Sequence, residues 1–85
     1  MKNFNHVITD PVGLHARPAG ILSKKAKEFA SKITIAKGEK SAEATKLMAV
    51  MGLGVKQGDE VAVVIEGEDE DLAYNEVQAF FRENF

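Results

Sequence analysis

The sequence predicts an α+β fold in two layers, with three helices on one face of a four-stranded, mainly antiparallel sheet. The prediction rests on two kinds of segment that follow each other along the chain. In one kind apolar residues alternate with polar ones, in the other they recur with helical periodicity, and turns that contain glycine separate them. A length of 85 residues permits one compact domain, which we expect to span residues 1–85. The predicted order of elements is β-α-β-β-α-β-α.

The spacing of apolar residues predicts the first strand and then the first helix. Phe4, His6 and Ile8 share one face of a strand that runs from Phe4 to Thr9. A turn at residues 10–13 follows. The helix runs from Ala16 to about Phe29, because its apolar residues recur at three- and four-residue steps. Those residues are Ala19, Leu22, Ala26 and Phe29.

A hairpin and a short helix are predicted in the middle of the chain. The hairpin has one arm at residues 33–35, a turn at residues 37–40 and a return arm at residues 41–44. The segment Leu47 to Val55 is almost continuously apolar, but its length and two glycines favour a helix of one or two turns.

The last strand and the last helix complete the predicted order. After a turn at residues 56–59, a β-branched run predicts a buried strand from Glu60 to Glu66. Acidic residues from Asp69 to Asp71 suit the positive end of a helix dipole and mark the start of the final helix. Its apolar stripe continues to the end of the chain.

Composition excludes several classes of function. The chain has no cysteine, so it holds no disulfide, catalytic thiol or thiolate metal site. A net charge of −2 argues against general binding to nucleic acid or to an anionic membrane. No apolar run approaches the roughly 18 residues that a membrane span requires. We expect a cytoplasmic protein without cofactor, with no metal site at His6 or His15.

The segment Gly13-Leu14-His15-Ala16-Arg17-Pro18-Ala19 joins the first strand to the first helix. A helix N-terminus offers free backbone N–H groups and a partial positive charge, which suit a phosphate. We therefore assign Ala16 and Arg17 to phosphate binding, with the Arg17 guanidinium as a fork for phosphate oxygens. The neutral imidazole of His15 can act as a nucleophile. The alternative is that His15 caps the helix and Arg17 forms a surface salt bridge.

This segment resembles the active-site motif of the HPr family, the phosphocarriers of the bacterial sugar phosphotransferase system. The segment Leu47 to Gly54, followed by Gly58 and a β-branched strand, resembles the second motif of the family. The resemblance covers essentially the whole chain and implies an open-faced β-sandwich. It also implies that phosphorylated enzyme I, and ultimately phosphoenolpyruvate, phosphorylates His15 at Nδ1. The acceptors that it implies are the IIA domains of sugar permeases.

A docking surface for these partners is expected beside His15. One helix turn cannot bury every side, so some of Leu47, Met48 and Met51 should remain exposed as an adaptable apolar patch, although burial in the core is the alternative. Around the patch, Arg17 and two lysines would steer acidic partners, and Gly20 belongs to the same face. The two lysines are Lys24 and Lys27. We expect a monomer with small, transient interfaces.

One position departs from the family pattern. Gram-positive members carry a regulatory serine at the start of the second helix, and Lys46 stands at that position here. Thr45 precedes it and is the alternative acceptor, but a kinase that reads the start of the helix would meet it on a different face, so the sequence disfavours serine-kinase regulation of this type without deciding it. Lys25 is interpreted as part of a solvated helix face.

The sequence favours one of three classes of function. A covalent relay intermediate, rather than an independent enzyme, is favoured because His15 is present. A regulatory module that only docks can dispense with the imidazole. A small nucleic-acid binder is disfavoured by charge and by the lack of exposed aromatic residues on strands.

Overall fold

The computed structural model describes residues 1–85 and contains four strands and three helices. The strands are β1 (Lys2–Val7), β2 (Lys32–Lys37), β3 (Lys40–Glu43) and β4 (Glu60–Glu66). The helices are α1 (Ala16–Ala26), α2 (Leu47–Gly52) and α3 (Glu70–Asn84). The predicted α+β class and the predicted order of elements are confirmed.

The four strands form one antiparallel sheet in the order β1-β4-β2-β3. Strand β4 lies in the interior of the sheet, where Val63 pairs with Phe4 of β1 on one side and with Ile35 of β2 on the other. Its β-branched residues suit this doubly paired position. The site described below lies at the end of the sheet where β1 ends and β4 begins, because Val7 pairs with Glu60 there.

The core lies between the sheet and the helix layer. Alternate residues of the interior strands point into it, and the helices contribute one stripe each. Burial of each large aliphatic side chain contributes about 1.5–3 kcal/mol to folding. The strand residues are Ile33, Ile35, Val61, Val63 and Ile65, and the largest helix contributions are Leu22, Val50, Val77 and Phe81.

Two predicted boundaries differ from the structure. Strand β1 begins at Lys2 and ends at Val7, two residues earlier at each end than predicted. Helix α1 ends at Ala26 rather than near Phe29, and the backbone hydrogen bonds donated by Glu28 and Phe29 span only three residues. The cause is tertiary, because the Asp69 carboxylate accepts hydrogen bonds from the backbone N–H groups of Ala30 and Ser31 and draws the chain into β2.

His6 lies in β1 on the face that the helices cover. Its ring packs edge-on against Phe81 at a centroid distance of 5.5 Å, and the side chain is half-buried. Its Nε2 atom is buried and has no hydrogen-bond partner. The structure therefore places His6 in the packing of the sheet, as its predicted alternation with Phe4 and Ile8 indicates.

Candidate functional site

His15 is the N-cap residue of α1, with an extended backbone at φ −82° and ψ −169°. Its carbonyl oxygen accepts the first helical hydrogen bond, from the N–H of Ala19 at 2.8 Å. The side chain makes no capping hydrogen bond and is exposed. The imidazole is therefore available to an incoming group at the positive end of the helix.

The backbone that precedes His15 is fixed by contact with a second loop, residues 53–59, which connects α2 to β4. Leu14 donates its N–H to the carbonyl of Val55 at 3.1 Å. Gly13 has φ +73°, and a Cβ there would overlap the Val55 carbonyl and lie 2.9 Å from Cα of Lys56. Glycine is required at this position because it tolerates positive φ and adds no Cβ to the crowded contact.

The second loop is itself held by Lys37 of β2. The ammonium of Lys37 donates to the carbonyl of Gly54 at 2.8 Å and pairs with the Asp59 carboxylate at 2.9 Å. Asp59 also accepts the backbone N–H of Lys56 at 2.9 Å. The hydrogen bond from Lys37, followed by that from Lys56, lowers the pKa of Asp59. The sheet thus supports the loop on which the His15 backbone rests.

A pocket of about 230 Å³ opens beside His15. It is lined by Leu14, His15, Met51, Gly54, Val55 and Lys56. Of the predicted docking residues, Met51 is the one that shares this pocket, and it is half-buried against the core. Lys56 was not predicted, because it lies in a turn and nothing in its local sequence relates it to His15.

Arg17 and Ala16 stand in the first turn of α1, where backbone N–H groups have no intrahelical acceptor. The Arg17 side chain is exposed and forms neither a salt bridge nor a hydrogen bond, so the predicted alternative of a surface salt bridge is absent. Arg17 lines a different cavity, of about 400 Å³, rather than the pocket of His15. The other residues of that cavity are Asp10, Val12, Pro18, Ile21, Asn84 and Phe85.

A shallow groove of about 570 Å³ lies between α1 and α2. It brings together five predicted docking residues: Gly20, Lys24, Lys27, Leu47 and Met48. Met48 is 74% exposed and Leu47 is 38% exposed. Lys46 also lines the groove, and none of its three lysines forms an ion pair. The groove therefore combines exposed apolar side chains with unpaired positive charge.

The family model described as the PTS HPr component phosphorylation site matches residues 2–83. The chain belongs to the HPr family of phosphocarriers of the phosphotransferase system. The predicted family resemblance is confirmed.

Individual members of the HPr family agree with this assignment. The phosphocarrier protein HPr of Mycoplasma capricolum is 42% identical over 78 residues, which cover 92% of this chain and 88% of that protein. The crystal structure of HPr-C-His from Thermoanaerobacter tengcongensis has a TM-score of 0.93 and 36% identity, and it covers 100% of this chain and 96% of that chain. An HPr dimer from the same organism has a TM-score of 0.76, with 98% and 95% of the two chains covered at 36% identity. The predicted HPr-like fold is therefore confirmed.

Lys46, which departs from the family pattern expected from the sequence, is the N-cap residue of α2. Its side chain is exposed and makes no capping hydrogen bond. The neighbouring Thr45 contributes its carbonyl oxygen to the packing of the two helices, because Ser23 Oγ donates to it at 2.9 Å. The groove consequently has an ammonium group at the N-cap position of α2.

Lys25 differs from its predicted place on a solvated face. Its ammonium pairs with Glu76 at 3.1 Å and with Glu28 at 3.3 Å, and it lies over the rings of Phe29 and Phe80. The hydrogen bond to Glu76 is the largest of the effects that raise the pKa of Lys25. This lysine links α1 to α3 through its ion pair with Glu76, and it lines neither the pocket of His15 nor the groove between α1 and α2.

No group of three or more His, Asp or Glu side chains has the arrangement of a metal site. None of the helices combines the length and the apolar character that crossing a bilayer requires.

Proposed function

We propose that His15 accepts a phosphoryl group at Nδ1 from phosphorylated enzyme I and passes it to IIA domains of sugar permeases. The observation that carries this proposal is the exposed His15 imidazole, which makes no capping bond and stands at the N-terminus of an 11-residue helix. Membership of the HPr family supports the phosphocarrier role. Phosphoenolpyruvate is the ultimate source of the phosphoryl group.

The transfer step requires only the neutral ring of His15. The Nδ1 lone pair attacks phosphorus and forms an N–P bond, while the bond from phosphorus to the donor's leaving atom breaks and that atom keeps the electron pair. In the second transfer the acceptor's nucleophile attacks phosphorus, and the electron pair of the N–P bond returns to Nδ1. The chain thus ends each cycle unchanged, as a carrier must.

Ala16 and Arg17 stabilise the transferred group in this proposal. The backbone N–H groups of the first helical turn are free, and the partial positive charge of the helix end favours a phosphoryl anion. The Arg17 guanidinium has no partner within the protein, so it can turn toward phosphate oxygens without breaking an existing bond. A charge-assisted hydrogen bond of this kind contributes about 1.5–3 kcal/mol.

The groove between α1 and α2 is the proposed docking surface. Exposed Leu47 and Met48 provide adaptable apolar contact, and Met51 extends this contact to the pocket of His15. Lys24 and Lys27 flank the groove beside Gly20 and attract acidic partners. A small docking surface of this kind suits a carrier that has to leave one partner before it meets the next. We further propose that the protein acts in the cytoplasm as a monomer.

Incubation with enzyme I and phosphoenolpyruvate, followed by intact-mass measurement, tests the proposed function. The expected product is a single phosphoryl adduct that is labile in acid and stable in alkali, as an N–P bond requires. His15→Ala should remove the adduct, while His6→Ala should retain it. Adduct formation on His15→Ala at the wild-type level would contradict the proposal.

A further inference from the structure

Lys56 shares the pocket of His15, although it is 41 positions away in the sequence. Its Cα lies close to Gly13, two residues before His15. A Cβ added at Gly13 would be 2.9 Å from this Cα. The adjoining Val55 carbonyl accepts the N–H of Leu14. The backbone of Lys56 is therefore fixed next to the backbone that carries the imidazole.

The ammonium of Lys56 has no carboxylate partner. Asp59 is the acidic residue of the same loop, but its carboxylate is occupied by the ammonium of Lys37 at 2.9 Å and by the backbone N–H of Lys56 at 2.9 Å. No acidic residue lines the pocket of His15. The Lys56 side chain is exposed, so it is free to turn toward an anion in that pocket.

Arg17 and Lys56 stand on different elements on the two sides of His15. Arg17 stands on α1 and lines the cavity with Ile21 and Phe85, whereas Lys56 stands on the loop between α2 and β4 and lines the pocket that contains the imidazole. A phosphoryl group on His15 would project outward from an exposed ring and would carry charge toward both sides. The helix side supplies amides and a guanidinium, and the loop side supplies an ammonium.

We infer that the Lys56 ammonium contacts the phosphoryl group while His15 carries it, and so completes the anion site from the loop side. This inference rests on the proposed function of His15. Lys56 makes and breaks no covalent bond, and it keeps its proton throughout. It acts by stabilising the charge of the phosphorylated state relative to the free state. A flexible, exposed lysine gives a modest attraction, which suits a group that has to be released.

Three variants test the role of this charge. Lys56→Gln removes the ammonium, and Lys56→Arg keeps a positive charge. Lys32→Gln removes one charge at the opposite end of the sheet, where Lys32 of β2 lies opposite Glu66 of β4 in the strand register. The equilibrium ratio of phosphorylated to free protein is measured by intact mass against a fixed ratio of phosphoenolpyruvate to pyruvate, with enzyme I as catalyst.

Lys56→Gln should lower that ratio by roughly two- to fivefold at low ionic strength, as expected for an exposed ion pair. The difference should shrink as salt is added. Lys56→Arg and Lys32→Gln should match wild type. In ³¹P NMR, the phosphoryl resonance of Lys56→Gln should titrate at a higher pH, because a nearby ammonium favours the fully ionised phosphoryl group. A purely structural role of Lys56 would not move that titration.

If Lys56→Gln has the wild-type ratio of phosphorylated to free protein and the wild-type ³¹P titration, the inference is overturned and the proposed function stays intact. An equal loss in Lys56→Gln and Lys56→Arg would also overturn it, since charge would then not be the cause. A wild-type protein that acquires no phosphoryl group on His15 would overturn the proposed function, and this inference with it.

Discussion

The two histidines of the chain occupy opposite environments. His6 is half-buried in β1, with its ring edge-on against Phe81 and its Nε2 shielded from solvent. His15 is exposed, makes no hydrogen bond through its ring and stands at the start of a helix. A phosphoryl donor has to reach a ring nitrogen along an open path, and of the two rings His15 meets this requirement. The choice between them is therefore determined by burial.

The Arg17 side chain provides the first prediction at the scale of a residue. Arg17→Ala should slow phosphorylation of His15 by about ten- to hundredfold, because the transferred group loses one charge-assisted hydrogen bond. Arg17→Lys should recover part of the rate, since it restores the charge without the fork. The measurement is the rate of phosphoryl uptake from enzyme I in rapid-quench experiments. An Arg17→Ala rate equal to that of wild type would contradict the assignment of Arg17.

Gly13 provides a second prediction, on stability. Gly13→Ala adds a Cβ at φ +73° that overlaps the Val55 carbonyl, whereas Gly38→Ala, at φ +61°, meets no atom within 4 Å. The backbone conformation alone costs about 1–2 kcal/mol in each variant. Urea denaturation should therefore show that Gly13→Ala is the less stable of the two, by about 1–3 kcal/mol of added crowding. Equal free energies of unfolding would contradict a close contact between Gly13 and the Val55 carbonyl.

At the scale of elements, the site depends on a loop that other elements hold in place. The Lys37 ammonium of β2 bonds both the Gly54 carbonyl and the Asp59 carboxylate, at the two ends of the segment that touches Gly13. Asp69 plays a similar part at the start of α3, where it bonds the backbone of Ala30 and Ser31. Both carboxylates act in their ionised form. The hydrogen bond from Lys37 is the largest cause of the lowered pKa of Asp59, and the hydrogen bond from the Ser31 hydroxyl is the largest cause of the lowered pKa of Asp69.

The lowered pKa of Asp59 leads to a prediction on acid stability. A carboxyl group whose folded pKa lies below its unfolded value of 3.8 stabilises the fold above pH 3.8, and this contribution is lost as the pH falls through the folded pKa. The free energy of unfolding should therefore fall as the pH drops below about 4. Lys37→Gln should show a smaller fall over the same range, since the hydrogen bond from Lys37 is the largest cause of the shift.

Urea titrations of both proteins at a series of pH values measure this difference. Lys32→Gln is the control, because it removes a lysine from the same strand without touching Asp59. An acid dependence of Lys37→Gln identical to that of wild type would contradict the role given to Lys37.

The order and type of elements can be predicted from the sequence because they follow from local periodicity. The end of α1 cannot, since Asp69, 43 positions after Ala26, determines where the chain leaves the helix. The same distinction applies to the candidate site. His15, Ala16 and Arg17 adjoin one another in the sequence, whereas Lys56 reaches the site only through the contact of its loop with Gly13. Pattern reasoning finds the first group and misses the second.

At the scale of the whole molecule, the charges are unevenly distributed. The protein has a net charge of −2, yet the groove between α1 and α2 contains three lysines and no acidic residue. By contrast, the ammonium groups of four lysines outside the groove are each paired with a carboxylate: Lys2, Lys25, Lys32 and Lys37. Three unpaired positive charges therefore lie beside the exposed apolar surface of Leu47 and Met48.

This distribution predicts how the protein associates with acidic partners. The double variant Lys24→Glu and Lys27→Glu should lower the association rate constant with enzyme I by about tenfold at low salt, since long-range attraction sets that rate. Stopped-flow fluorescence over a range of salt concentrations measures it, and the difference from wild type should narrow as salt rises. Lys32→Glu, at the far end of the sheet, should have a small effect. A loss per unit of changed charge that is equal in the double variant and in Lys32→Glu would indicate that net charge, rather than the groove, controls association.

NMR of the ¹⁵N-labelled protein after incubation with enzyme I and phosphoenolpyruvate tests directly whether the Nδ1 atom of His15 carries the phosphoryl group. We expect a phosphorus coupling at one ring nitrogen, Nδ1 of His15, with the ring of His6 unchanged. A coupling at Nε2 of His15, a coupling at His6, or a protein that acquires no phosphorus on either ring would contradict this expectation.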